Sequence, residues 1–353
     1  MNREFWRGKR VIVTGHTGFK GGWLTLWLSE MGAQVYGYAL PPPAEPTIFT
    51  ACHLHSRLQS NTLADIRDLS VLTQALQAAQ PDIVMHLAAQ PLVRYSYSAP
   101  VETFAVNVMG TVNLLEAVRQ IPTIKAVVNV TTDKCYENHE SDRPYREHEA
   151  MGGFDPYSSS KGCSELVTAA YRRSFFEASA VHVASARAGN VIGGGDWAND
   201  RLIPDFLRAL DAGKPLIIRS PQAVRPWQHV LEPLSGYLTL AEKLYAEGRK
   251  YAQAWNFGPE ASDARPVQWI VEQLCAQVTA ATWQRDPRPQ LHEASTLKLD
   301  ISKAQTELGW HPRWNLDTAL KNTLAWHQAW KHGADMSALS LDQIHAYESV
   351  GLS

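Results

Sequence analysis

An α/β fold built on a doubly wound parallel sheet is what this sequence predicts, and three observations carry that expectation. Short β-rich runs alternate with helical stretches through the first two thirds of the 353 residues, the pattern of strands joined by crossover helices. The first such run, Val11 to Thr14, leads straight into Gly15, Gly18 and Gly21 and then into an apolar helical pattern. The polar run Thr132, Asp133, Lys134 closes a later β-rich segment, at the sheet edge where open α/β folds bind their ligands.

The elements follow in order. After the glycines, Leu24, Trp27, Leu28 and Met31 recur at helical spacing, and Gly32 can end that helix. Val35 to Leu40 reads as the second strand, closed by Pro41, Pro42 and Pro43. Past Leu63 to Ile66, a helix from Ser70 to Ala79 stops before Pro81, and Ile83 to Ala88 is the next strand. Val101 to Gln120 reads as one long helix carrying Asn107 and Gly110, and Ala126 to Thr131 as the strand that delivers Thr132, Asp133 and Lys134. The helical stretch Pro233 to Glu247 and the strand Ala254 to Phe257 are expected to return to the sheet. Leu297 to Ile301, the helix around Leu316 to Trp330 and a final helix after Gly333 are assigned to a smaller mixed α/β lobe. The expected division is a Rossmann-type cofactor domain, residues 1–190 plus about 229–258, and a substrate lobe, about 191–228 plus 259–353.

Composition narrows the possible partners. Lys and Arg number 33 against 35 acidic residues, so no general attraction to nucleic acid or to an anionic membrane is expected. No run approaches the roughly 18 apolar residues of a membrane span, and Met1 to Arg10 lacks a secretory apolar core; a cytoplasmic location is the default. Cys52, Cys135, Cys163 and Cys275 are scattered without a paired spacing, so neither a metal site nor a redox switch is expected.

The glycine loop sits between a strand and a helix, the context in which side-chain-free positions let the backbone approach a pyrophosphate at a helix amino end. Gly15, Gly18, Phe19 and Gly21 are therefore the first cofactor candidates. Tyr157 and Lys161 are four residues apart. If Tyr157 opens a helix, Lys161 lies about 6 Å along the same face. There an ammonium can lower the phenol's pKa, so that Tyr157 acts as a base on an alcohol.

Taken with His86 to Gln90, Asn107 to Thr111, Arg187 to Asn190, Arg225 to Trp227, Asn256 to Gly258 and Leu308 to Trp310, these motifs make the chain resemble the extended short-chain dehydrogenase/reductase family. The likeness is greatest to its nucleotide-sugar 4,6-dehydratases, and among them to the branch acting on CDP-glucose. The resemblance implies bound NAD, with Asp65 and Ile66 flanking the adenine, Ala88 and Ala89 lining the cleft, Asn107 contributing to the cofactor site, and Tyr157 and Lys161 reaching the nicotinamide ribose. It also implies a nucleotide-diphosphate hexose held by Asn190, Arg219, Arg225, Asn256, Arg288 and His292. The second strand departs from the pattern, ending Tyr38, Ala39, Leu40 without the acid that usually grips the ribose diol. No arginine follows to hold a 2′-phosphate, so NAD is favoured over NADP.

The implied chemistry makes Tyr157 the base at the sugar 4-hydroxyl, Thr132 the group holding the 4-oxygen, and Asp133 the acid for the departing 6-hydroxyl. Lys134 stands where the thymidine-diphosphate branch has glutamate, as the C5 base or as a stabiliser of the enolate. Deoxysugar supply to cell-surface polysaccharide, such as the O-antigen of lipopolysaccharide, is the expected setting. A homodimer is implied through the helices Val101 to Gln120 and Tyr157 to Phe176. A UDP-N-acetylglucosamine 4,6-dehydratase, a 4-epimerase and a non-catalytic dinucleotide sensor on the same fold stay open as alternatives.

Overall fold

The computed structural model describes residues 1–42, 46–278, 280–288 and 294–350. Among these, seven strands form one sheet: β1 (Arg10–Thr14), β2 (Gln34–Ala39), β3 (Ser60–Leu63), β4 (Ile83–His86), β5 (Ala126–Val130), β6 (His182–Arg187) and β7 (Ala254–Asn256). Every pairing is parallel, in the order β7-β6-β5-β4-β1-β2-β3. The chain runs outward from β1 to β3 and then crosses back to β4, so a crevice opens above the carboxyl ends of β1 and β4. Thr14 and His86 end those two strands and share a 2.7 Å hydrogen bond.

Strands β4 and β5 are buried along their whole length, as a parallel sheet covered on both faces requires. The one amide in β5, Asn129, is satisfied by Ser164 and Thr168 of the covering helix at 3.1 and 2.7 Å. Helix α1 (Phe19–Glu30) follows the glycine loop and buries Trp23, Leu24, Trp27 and Leu28. Helix α2 (Pro156–Tyr171) is started by Asp155, whose carboxylate accepts from the Ser158 backbone and hydroxyl, with proline at its first position. Helix α3 (Leu231–Glu247) buries Leu234, Tyr237, Leu238 and Leu240.

One sequence expectation needs refining. The stretch read as one uniform helix over Val101 to Gln120 is Pro100–Phe104, then a wider π-turn Ala105–Met109, then Gly110–Val118, and a separate short helix Val93–Ser98 precedes it. The π-turn carries Asn107, whose amide donates to the Gln90 carbonyl and to Ser160 and accepts from the Gln90 amide. Inserting a residue into a helix at such a point re-aims a side chain.

The C-terminal helix α4 (Met336–Ser349) packs back on the chain. Trp27 donates to Glu348 at 2.9 Å, and Tyr347 donates to buried Glu232 of α3 at 2.7 Å. No helix among the described residues is long and apolar enough to cross a membrane.

Candidate active site

The glycine loop is built for close approach. Gly15 has φ +77°, and a Cβ there would lie 2.7 Å from the Ala88 backbone nitrogen; a Cβ on Gly21 would lie 2.1 Å from the Gly15 carbonyl oxygen. The loop is therefore folded tightly against the residues after β4, and larger side chains are excluded. Gly18 caps α1 with no side-chain hydrogen bond, so first-turn amides of a 12-residue helix face the crevice with its positive end. This fits a pyrophosphate. Ala88 lies beside it, its amide hydrogen-bonded to Thr14.

At the other end of the cleft, Tyr38 fills the end of β2 and donates to the Asp65 carbonyl at 2.8 Å. Asn113 holds the carbonyls of Ile66 and Arg67. The Asp65 carboxylate is paired with Arg67 at 2.6 Å, so it is the backbone and the Ile66 side chain that can face an adenine. Asn107, expected in the cofactor site, lies just behind the cleft. Its amide is fully committed to Gln90 and Ser160, and it sits 2% exposed behind the Ala88–Gln90 segment as a brace.

Thr132, Asp133 and Tyr157 converge at the carboxyl end of β5. Thr132 caps a 3₁₀ turn over Asp133–Cys135, and its hydroxyl donates to Asp133 Oδ1 at 2.9 Å. Asp133 is 1% exposed and its Oδ2 has no protein partner, an arrangement that is costly unless a ligand group completes it. A Cβ on Gly189 would lie 1.8 Å from that oxygen. Lys134 lies partly buried on the same turn, its amide 3.4 Å from Thr132 Oγ1.

Burial pushes the Tyr157 phenol up to about 12, and a hydrogen bond with Thr132 and the Arg201 cation oppose that rise. Lys161, expected to lower the phenol, instead points its ammonium at the Val130 carbonyl 3.4 Å away; burial pushes it down to about 8, with Glu165 opposing. A cation acting on Tyr157 is Arg201, which Asp196 holds at 2.9 Å. Sequence reasoning missed Arg201. It also left Lys20 unassigned, yet Lys20 lies among Arg201, Lys161, Asp133 and Asp196, and burial with its cationic neighbours pushes it down to about 7. Cys135 is buried and its thiol is pushed up by desolvation, which removes it as a nucleophile.

Beyond the crevice, Arg219, Ser220, Arg285, Asp286, Pro287 and Arg288 line a cavity of about 610 Å³. Arg219 pairs with Asp200 at 2.8 Å and Arg288 with Asp286 at 2.8 Å. Arg285, unforeseen from sequence, joins them in the run Arg285-Asp-Pro-Arg288, a spacing that could have flagged it. Asn190 adopts φ +42° and leaves a buried Oδ1 without a protein partner next to Gly189. Arg225 is 3% exposed and donates to the Val224, Ala294 and Ser295 carbonyls, outside that cavity lining.

Asn256, expected as a substrate contact, lies in the interior of the fold. It is 0% exposed, accepts from Tyr136 at 2.6 Å, and donates to the Tyr145 and Asp300 carbonyls. His292 lies outside the described residues. Among the described residues no group of three or more His, Cys, Asp or Glu is placed to hold a metal ion.

The family model described as GDP-mannose 4,6 dehydratase matches residues 12–323. The chain is 54% identical to CDP-glucose 4,6-dehydratase of Salmonella typhimurium, over 99% of each chain. It is 26% identical to dTDP-glucose 4,6-dehydratase of Xanthomonas campestris pv. campestris, over 95% of this chain and 98% of that one. Among solved structures, UDP-glucose 4-epimerase from Stenotrophomonas maltophila with bound NAD and formylated UDP-arabinopyranose superposes with TM-score 0.79 at 21% identity, covering 92% of this chain and 100% of the other. The dTDP-glucose 4,6-dehydratase of Bacillus anthracis in complex with NAD gives 0.76 at 20% identity, covering 93% and 99%.

Proposed function

The chain belongs to the GDP-mannose 4,6-dehydratase family, and from that premise we propose that it converts CDP-glucose to CDP-4-keto-6-deoxyglucose and water, using NAD. The observation that carries the reading is the convergence of Thr132, Tyr157 and a buried Asp133 carboxylate with one uncommitted oxygen, at the sheet edge above the glycine loop. The 54% identity over the whole chain supports CDP-glucose over other nucleotide hexoses.

Gly15, Gly18, Phe19 and Gly21 with the α1 amino end would hold the pyrophosphate of NAD, Asp65 and Ile66 its adenine end, Ala88 and Ala89 its flank, and Lys161 its nicotinamide ribose. Bound there, NAD supplies a reversible hydride acceptor, so the reaction consumes no net oxidant. Tyr157 takes the proton of the sugar 4-hydroxyl, with Arg201 favouring the phenolate. Thr132 turns its one hydroxyl hydrogen from Asp133 Oδ1 to the 4-oxygen when substrate is bound. The 4-ketone so made acidifies the C5 hydrogen, which Lys134 removes or whose enolate Lys134 stabilises. Asp133 gives a proton to the departing 6-hydroxyl through the oxygen that has no protein partner. Asn190, Arg219 and Arg288, with Arg285, would hold the diphosphate and nucleoside, and Arg225 would support the Ala294–Ser295 segment behind them.

A homodimer is part of the reading. Val101, Phe104, Met109, Leu166 and Phe175 are exposed apolar residues on the two helical stretches named for pairing, and such surface usually marks an interface. Use of the product in cell-surface polysaccharide is the setting that the CDP-glucose assignment favours. The experiment is to offer the purified protein CDP-, UDP-, dTDP- and GDP-hexoses and seek a product lighter by one water. Dehydration of CDP-glucose alone supports the assignment; preference for another nucleotide, or a C4 epimer without loss of water, rejects it.

A further inference from the structure

We propose that Glu165 is a positioning residue for this reaction: a buried carboxylate one helical turn behind Lys161, clamped by Arg187, that backs the Lys161 ammonium and locks α2 against the turn carrying Thr132 and Asp133. The inference rests on the reading of Tyr157 and Lys161 given above.

Glu165 follows Lys161 by four residues on α2, so both project from one face. It is 4% exposed, as is Arg187. Each carboxylate oxygen is engaged: Oε1 accepts from Thr131, and Oε2 from Ser185 at 2.7 Å and from Arg187 Nη2 at 2.8 Å. Thr131 directly precedes Thr132. One side chain therefore joins α2, which bears Tyr157 and Lys161, to the end of β5 and to β6. Arg187 is itself held by Tyr136 at 2.8 Å and by the Glu147 carbonyl at 3.1 Å, and Tyr136 by Asn256.

Holding an ion pair this deep in the core adds little net stability over apolar side chains of the same volume. Its consequence lies in the field it makes. Glu165 is the main group that opposes the desolvation of Lys161. The other charged or titratable groups facing Lys161 are Lys20 from α1 and His86 from β4. Lys20 repels the ammonium, and His86 is pushed by burial down to about 3 and stays neutral. Arg172, at the end of α2, also faces Glu165. Without the Glu165 charge, burial acts on Lys161 with its main opposing group removed.

The test is an NMR titration of the full-length protein with ¹³C at lysine Cε, the Lys161 resonance being assigned by its loss in Lys161→Arg. In Glu165→Gln the Lys161 midpoint should fall by about one pH unit, and in Glu165→Asp, which keeps the charge, it should stay near that of the parent protein. The alkaline limb of kcat on CDP-glucose should move with it, while KM changes by less than about threefold. Because Glu165→Gln strands the Arg187 charge, Glu165→Gln combined with Arg187→Met serves as the folded counterpart, and with anion and cation both gone its Lys161 midpoint should fall by clearly less than in Glu165→Gln alone. An unmoved midpoint in folded Glu165→Gln, or a fall in the double variant as large as in Glu165→Gln, overturns the inference. Failure of the parent protein to dehydrate any nucleotide hexose overturns the proposed reaction instead, since the NMR midpoint needs no substrate.

Discussion

The alpha carbon of Gly189 faces the Asp133 carboxylate so closely that a Cβ there would lie 1.8 Å from Oδ2 and 2.1 Å from the carboxyl carbon. A glycine far along the chain thus sets where the acid for the 6-hydroxyl can sit. Gly189→Ala is expected to displace Asp133, lowering kcat roughly 10²-fold or more, as loss of a positioned acid does, with KM for CDP-glucose little changed. Steady-state kinetics check this; a variant with parental kcat would show that Asp133 is not the acid.

Lys161 should govern the alkaline side of the pH profile. Its folded value of about 8 lies below the usual lysine value, so the cation is present below pH 8 and is lost above it. Turnover is expected to fall close to tenfold per pH unit above about 8. Lys161→Arg carries a cation that does not titrate in this range, so its slower reaction should lack that limb.

Asn256 and Arg219 separate structure from recognition. Asn256→Ala would remove the acceptor of the buried Tyr136 hydroxyl and one donor to each of the Tyr145 and Asp300 carbonyls, at a cost of roughly 1–3 kcal/mol for the hydroxyl hydrogen left unmet. The melting temperature should fall while KM barely moves. Arg219→Ala, at the rim of the 610 Å³ cavity, should do the reverse, raising KM with the melting temperature unchanged. Thermal melts beside steady-state kinetics distinguish the two.

Glu232 gives stability a pH dependence. It is 0% exposed, and burial pushes it up to about 7 despite donors from Arg313, Trp314 and Tyr347. The folded protein holds this proton more tightly than the unfolded chain. The contribution is therefore complete below the unfolded value of 4.5, and it is lost as pH rises to about 7, by up to about 3 kcal/mol. Denaturant unfolding between pH 5 and 7.5 should show this fall. Glu232→Gln should flatten it while lowering stability throughout, because an amide donor then meets Tyr347 or a backbone amide.

Much of the sheet and the core of the site could be read from local patterns. Gly15, Gly18 and Gly21 next to a β-rich run, the Thr132 to Lys134 turn at a strand end, and Tyr157 with Lys161 on one helical face each depend on neighbours within a few residues. What escaped depends on distant segments meeting. Arg201 reaches Tyr157 where Asp196 holds it, and Lys20 takes its character from burial and then from Arg201 and Lys161. Asn256 and Asn107 look like ligand contacts in a motif, but Tyr136, Gln90 and Ser160 occupy their amides in the fold. The π-turn at Ala105–Met109 shifts the helical register ahead of Gly110, where no residue within the turn announces it.

Internal return of one hydrogen is the claim on which the rest stands, and CDP-glucose carrying deuterium at C4 tests it most directly. The account predicts a 4-keto product lighter by water, with the deuterium now on C6. Deuterium kept at C4, lost to solvent, or found in a product that has not lost water would contradict it.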